Sequence, residues 1–230
     1  MYSQEGRISR FEPWVGFGFV VLYFIGMAAL PNTPDENASD AKWLAFFANS
    51  GNRVGLVVSG FLLVLAALCL MSFITSVWCR VRAASSGDPS PLPLLAAGVS
   101  AACIAIAGVM NAAVAGAMAF GHLHEPSAAL LRFSDSYSFP AATVGGMVAA
   151  ALAVASVSAQ ARKAGTFGSR LTVFSYVMAA ISLFSFIWIP QAAMLIWFIV
   201  VAIVLLRQHP LPEGRSATGE ADIITAAASR

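Results

Sequence analysis

The side chains best suited to chemistry stand together in one short stretch, His122-Leu123-His124-Glu125. Two imidazoles and a carboxylate are metal-ligand types, and a divalent ion held there would activate a water for hydrolysis at the membrane surface. A metal site needs three or four donors with hydrogen-bonded support, so Asp135, Asp40 and Glu36 are the residues that would complete one. The plainer reading is a group of solvated residues at a helix end.

Asn111 is the second feature. On a helix, Asn111, Ala115, Met118 and His122 share one stripe, because eleven residues come within about 20° of three full turns. A cavity along that stripe would have an amide in its depth and an imidazole at its mouth. Alternatively, Asn111 hydrogen-bonds Ser72, Thr75 or Thr143 of a neighbouring helix, an interaction worth about 0.6–2 kcal/mol in lipid. Arg53 and Arg132 could grip an anionic headgroup or a carboxylate, or simply pair with loop acids such as Asp40 or Asp135. No nucleophile elbow and no phosphate-binding glycine loop is present.

The elements that must position these residues are apolar helices. The 230 residues are 59% hydrophobic and only 10% charged, against about a quarter charged in soluble proteins. The charges fall in short intervals between long apolar runs, which is the pattern of a polytopic membrane protein. No Asp, Glu, Lys, Arg or His lies clearly within a run, which argues against a proton relay, an ion pathway or a voltage sensor. The three histidines lie at run ends or in the tail, so a buried haem is not expected. Lys42 and Lys163 lie in connections and leave retinal without a mid-span lysine. No cofactor is expected, no basic cluster points to nucleic acid, and Cys69, Cys79 and Cys103 show neither zinc nor disulfide spacing.

The expected fold is an all-α bundle of six transmembrane helices with two short amphipathic helices on its outer face. The spans are placed at residues 14–30, 54–78, 94–120, 139–161, 171–189 and 191–206, followed by a disordered cytoplasmic tail from 209 to 230. The third and fourth are rich in small residues, including Gly98, Gly108, Gly116, Gly145 and Gly146, and are expected at the centre because close approach drives packing in lipid. Ser138 and Pro140 read as the start of the fourth span, and Pro190 as the break between the last two. The short helices are expected after Asp40, with Trp43, Leu44 and Phe47 on one face, and after Pro126. Trp14, Trp78 and Trp188 fit an interfacial belt.

Arg7, Arg10, Arg80, Arg82, Arg162, Lys163, Arg170, Arg207, Arg215 and Arg230 fall on one side of this topology, and Lys42, Arg53 and Arg132 on the other. Positive-inside placement then puts both termini in the cytoplasm.

The segment Ser39-Asp40-Ala41-Lys42-Trp43-Leu44-Ala45-Phe46-Phe47, leading through Asn52-Arg53 into an apolar second span that ends in a basic pair, resembles the DUF4386-type group of small bacterial integral membrane proteins. The likeness covers mainly the first third of the chain. It implies about six spans and a bacterial inner-membrane location, and no catalytic residues.

The functional expectation is a non-enzymatic module that binds a lipid or small hydrophobic ligand in an outward-facing pocket. Asn111, Met118, His122, Trp43 and Phe47 would line it, with Arg53 or Arg132 at its rim. Besides membrane lipids, the expected partners are further copies of the chain or a larger membrane complex. The alternatives are an accessory structural subunit of such a complex, a metal-dependent enzyme using His122, His124 and Glu125, and a small-molecule transporter subunit.

Overall fold

A computed structural model describes residues 12–121, 126–185 and 188–208, without the side chains of residues 12, 188 and 189. All regular structure among them is helical: α1 (Glu12–Ala28), α2 (Asp40–Ala48), α3 (Ser50–Ala84), α4 (Leu92–Ala119), α5 (Ala128–Pro140), α6 (Met147–Lys163), α7 (Ser169–Ser182) and α8 (Trp188–Arg207). A π-helical stretch, Ala141–Gly146, joins α5 to α6, so that residues 128–163 form one continuous helix. Four helices are long and apolar enough to cross a membrane: Ser50–Ala84, Leu92–Ala119, Ala128–Lys163 and Pro190–Arg207. α1, with 17 residues, and α7, with 14, are shorter.

Local chemistry sets the ends of these helices. The Asn49 side chain accepts from the Gly51 and Asn52 amides at 2.8 and 3.4 Å and so opens α3. Asn52 and Arg53 in turn reach back to the Phe46 and Phe47 carbonyls, at 2.9 and 3.3 Å, which the end of α2 would otherwise leave unpaired. At the end of α6, Gly165 takes φ +73, and the Gly165 and Thr166 amides donate to Arg162 and Ala161. That is a Schellman cap, which a side chain at 165 would strain.

α3 and α4 make the closest approach in the bundle. A methyl group placed on Gly108 would lie 2.6 Å from the Gly60 carbonyl oxygen, and one on Gly60 would overlap the Gly108 carbonyl and lie 2.7 Å from Ala112 Cβ. The continuous helix packs on the other side of α4, where Gly145 and Gly146 leave room for Cys103 and Ile104. Across the bundle, α1, α3 and α8 meet through Phe19, Phe73, Trp197 and Phe198, with Phe19 and Phe198 centroids 4.4 Å apart. Trp197 Nε1 donates to Ser175 Oγ of α7 at 2.8 Å, the partner a buried indole needs.

The structure moves two of the expected boundaries. No chain break precedes Ser138, whose hydroxyl instead donates to the Asp135 carbonyl at 2.9 Å within the helix. Proline lacks an N–H and crowds the preceding turn, and here the wider π turn that follows absorbs both effects, so the helix runs on. Pro190 does not end a helix either. It lies in the first turn of α8, where its missing N–H costs nothing, and α7 already ends at Ser182. The expected tail from 209 to 230 lies outside the described residues.

The two ends of the bundle differ in charge. Arg80, Arg82, Arg162, Lys163, Arg170 and Arg207 stand at one end, where Trp78 and Gln160 both donate to the Ser90 carbonyl. Asp35, Glu36, Asp40 and Asp135 stand at the other, together with Lys42, Arg53 and Arg132.

Candidate functional site

At the acidic end, the α1–α2 connection runs over a gap between the end of α1 and the π turn. The connection is held there by side chains of α5. Arg132 Nη2 donates to the Ala38 carbonyl at 2.6 Å and to Asp40 Oδ1 at 2.7 Å, and Ser136 Oγ donates to Glu36 Oε1 at 3.2 Å. Thr33 hydrogen-bonds the Asp135 carboxylate. These contacts bridge about ninety to one hundred residues of sequence and place two acids from separate segments at one opening.

Beneath lies a cavity of about 810 Å³, within the range of small-molecule sites. Met27, Leu30 and Pro31 of the first segment, Leu63 of α3 and Ala107 of α4 form its apolar floor and one wall. Phe139, Pro140, Ala142 and Val144 form the other, so the π turn that accommodates Pro140 borders the cavity directly. The polar groups are Asn32, Thr33, Glu36, Asn111, Asp135, Ser136, Ser138 and Thr143. No lysine, arginine or histidine is among the described lining residues. A smaller cavity of about 310 Å³, lined by Tyr23, Phe24, Gln191 and Leu195, adjoins the first through Met27.

Asn111 is 6% exposed and lines the larger cavity, and its side chain has no hydrogen-bond partner among the described residues. Of the hydroxyls that could have taken it up, Ser72 and Thr75 lie about three to four turns along α3 from the Gly60–Gly108 crossing, and Thr143, which lines the same cavity, donates to the Phe139 carbonyl. Its amide therefore offers donors and an acceptor to whatever occupies the space.

Asp135 lies in the polar first turns of the continuous helix, before its apolar stretch begins at Phe139. Burial pushes its carboxyl above the usual range. The hydrogen bond from Thr33 pulls the other way, and the charge of Glu36 adds to the rise. The sign of the stability effect follows. The unfolded chain ionises Asp135 at the ordinary carboxylate value, the folded chain only at a higher pH. Stability therefore rises as pH falls through the window above that ordinary value. Asp135→Asn is expected to raise the melting midpoint of detergent-solubilised protein at neutral pH by a few degrees and to flatten its pH dependence above the ordinary carboxylate range; an unchanged or lower midpoint counts against this account.

The structure separates the residues expected in one pocket. Asn111 lines the cavity, whereas Trp43, Phe47 and Met118 pack with Leu56, Val114, Ala115 and Leu131 in a cluster that seats α2 on α3, α4 and α5. Arg53 donates to the Phe47 carbonyl, and Arg132 pairs with Asp40. His122, His124 and Glu125 lie outside the described residues. Among the described residues no three His, Cys, Asp or Glu side chains gather closely enough to share a metal ion. Sequence reasoning weighed Glu36 only as an extra metal donor and Asp135 as that or as an arginine's partner, and did not place Thr33, Ser136 or Ser138 at a site. The available signal was a Ser-rich turn ahead of Pro140, at the same expected end as an acidic connection.

Comparison with protein-family models, with curated proteins and with solved structures finds no match.

Proposed function

We propose that this chain is an integral membrane protein that binds a lipid or small hydrophobic ligand in the cavity beneath the α1–α2 connection and does not transform it. The observation that carries the reading is Asn111, an amide 6% exposed and without a protein partner, which lines a cavity of about 810 Å³ that joins an apolar floor to a polar opening. Its amide faces the cavity, where a ligand group can both donate to it and accept from it. Six crossings with both termini in the cytoplasm fit the excess of arginine and lysine at one end, with Lys42, Arg53 and Arg132 at the other, and would turn the cavity outward.

The test is native mass spectrometry of protein extracted in mild detergent. A retained small molecule is expected on the unaltered chain. Asn111→Leu is expected to lower its retention at least tenfold while leaving helical content and melting midpoint unchanged or improved. An unaltered chain that never carries a bound molecule would sink the reading.

The accessory-subunit reading rests on the apolar α4 face that carries the exposed Leu95, Val99, Ile106 and Val109, with open space around Gly98. A stoichiometric partner recovered in a mild-detergent pull-down favours it.

A further inference from the structure

We infer that the ligand of this cavity is a small amphiphilic amine, its ammonium group held by Glu36 and Asp135 and its apolar body laid against Met27, Leu63 and Phe139. The inference rests on the ligand-binding reading above and names the class of molecule.

Three observations lead to it. First, the lining carries two carboxylates and, among the described residues, no basic side chain. The nearest arginine that the structure ties to this region, Arg132, is committed to Asp40 and the Ala38 carbonyl. An anionic headgroup would meet like charge at the opening, whereas an ammonium would neutralise it. Second, the Asn111 amide lies deep in the same cavity, 6% exposed and without a protein partner. The polar lining thus continues past the acids, and a hydroxyl or amide borne by the ligand would find a partner there. Third, the space is about 810 Å³ and its floor is aliphatic and aromatic. A monatomic cation would leave nearly all of it empty, whereas an alkyl or aryl body fills it and takes apolar surface out of water.

The acids are also poised to respond. Ser136 donates to Glu36 and Thr33 hydrogen-bonds Asp135, so each carboxylate has one neutral donor and keeps acceptor capacity for a cation. The charged groups around Asp135 are Glu36 from the connection and Arg132 from its own helix, the latter spent on Asp40. An ammonium arriving beside Asp135 would offset both the burial and the Glu36 charge that disfavour its ionised form. Amine binding is therefore expected to weaken as pH falls and Asp135 takes up a proton.

The experiment uses the full chain in a maltoside micelle with three probes of equal tail length, octylamine, 1-octanol and octanoate, measured by equilibrium dialysis. Saturable octylamine binding at about one per chain, at least tenfold tighter than octanol and with octanoate weakest, is expected. Glu36→Gln combined with Asp135→Asn should bring octylamine down to the octanol level. If the double variant does not fold, Glu36→Gln alone, on the exposed connection, is expected to lower the amine preference severalfold.

Equal binding of amine and alcohol, or a preference that survives loss of the acids, overturns the inference while leaving the pocket standing. Absence of binding by all three probes overturns both. Saturable calcium or sodium binding that needs the two acids and is indifferent to octylamine also overturns it. A second arm identifies the source of the amine. Retention of phosphatidylethanolamine over phosphatidylglycerol in native mass spectra, displaced by octylamine, marks a lipid headgroup. Octylamine binding without such retention marks a free amine.

Discussion

Gly108→Leu should abolish recovery of monodisperse protein. At the α3–α4 crossing even a methyl group on Gly108 would sit 2.6 Å from the Gly60 carbonyl oxygen and 3.1 Å from Leu63 Cβ. Overpacking a side-chain core costs about 1–3 kcal/mol because neighbours rotate away. Here the obstacle is backbone, which has no rotamer to yield, so the helices must separate. Separation opens the floor of the cavity as well, since Leu63 and Ala107 belong to it. Gly98→Leu on the same helix is the control: a Cβ there meets nothing within 4 Å, and a melting midpoint within a degree or two of the unaltered chain is expected. Size-exclusion profiles of the two variants decide the matter, and similar behaviour would refute the crossing.

The second large effect is expected at Trp43, which is fully buried in the cluster that seats α2. Trp43→Ala removes the largest side chain of that cluster and should cost about 3–5 kcal/mol locally. The cost is expected to appear as rapid hydrogen exchange and proteolysis between residues 35 and 48, with the α1–α3–α8 aromatic core still protected. Trp43→Phe should cost far less. The Trp43 Nε1 is buried with no hydrogen-bond partner among the described residues, so losing it forfeits no bond and relieves an unsatisfied donor. Equal damage from the two substitutions would mean that the indole nitrogen has a partner after all.

The difference between these positions marks how far the sequence alone could go. Apolar runs between charged connections revealed the helices and their approximate limits, because a long apolar run has few folded alternatives in lipid. Trp43 and Phe47 were legible as one face of a short helix, but not the surface they would cover, since Leu56, Val114 and Leu131 come from three other helices. The prolines misled in opposite ways for one reason: proline's effect depends on the hydrogen bond it removes. At Pro140 a π turn rearranges the bonding and the helix continues; at Pro190 there was no bond to remove.

Asn111 stood out because a carboxamide in an apolar helix is conspicuous at any depth. Glu36 and Asp135 did not, because each is an ordinary acid in an ordinary connection until Arg132, Ser136 and Thr33 draw the two segments together. Long-range hydrogen bonds of that kind leave no periodicity to read.

The brevity of α7 has a consequence for the surrounding lipid. Its 14 residues rise about 21 Å, against a hydrocarbon core of about 30 Å. The turn that follows is knotted to α1 through side chains: Gln191 Nε2 donates to the Ser185 carbonyl at 3.2 Å, and Tyr23 donates to Gln191 Oε1 at 3.1 Å. These bonds supply partners to non-helical backbone where water is scarce. Were α7 to cross a bilayer, the acyl chains beside it would have to shorten or splay to meet it, whereas α3, about 52 Å long, exceeds the same core. Helices of such unequal length in one bundle would deform a surrounding annulus unevenly, and bilayers of shorter acyl chains would suit the α7 side at the least elastic cost.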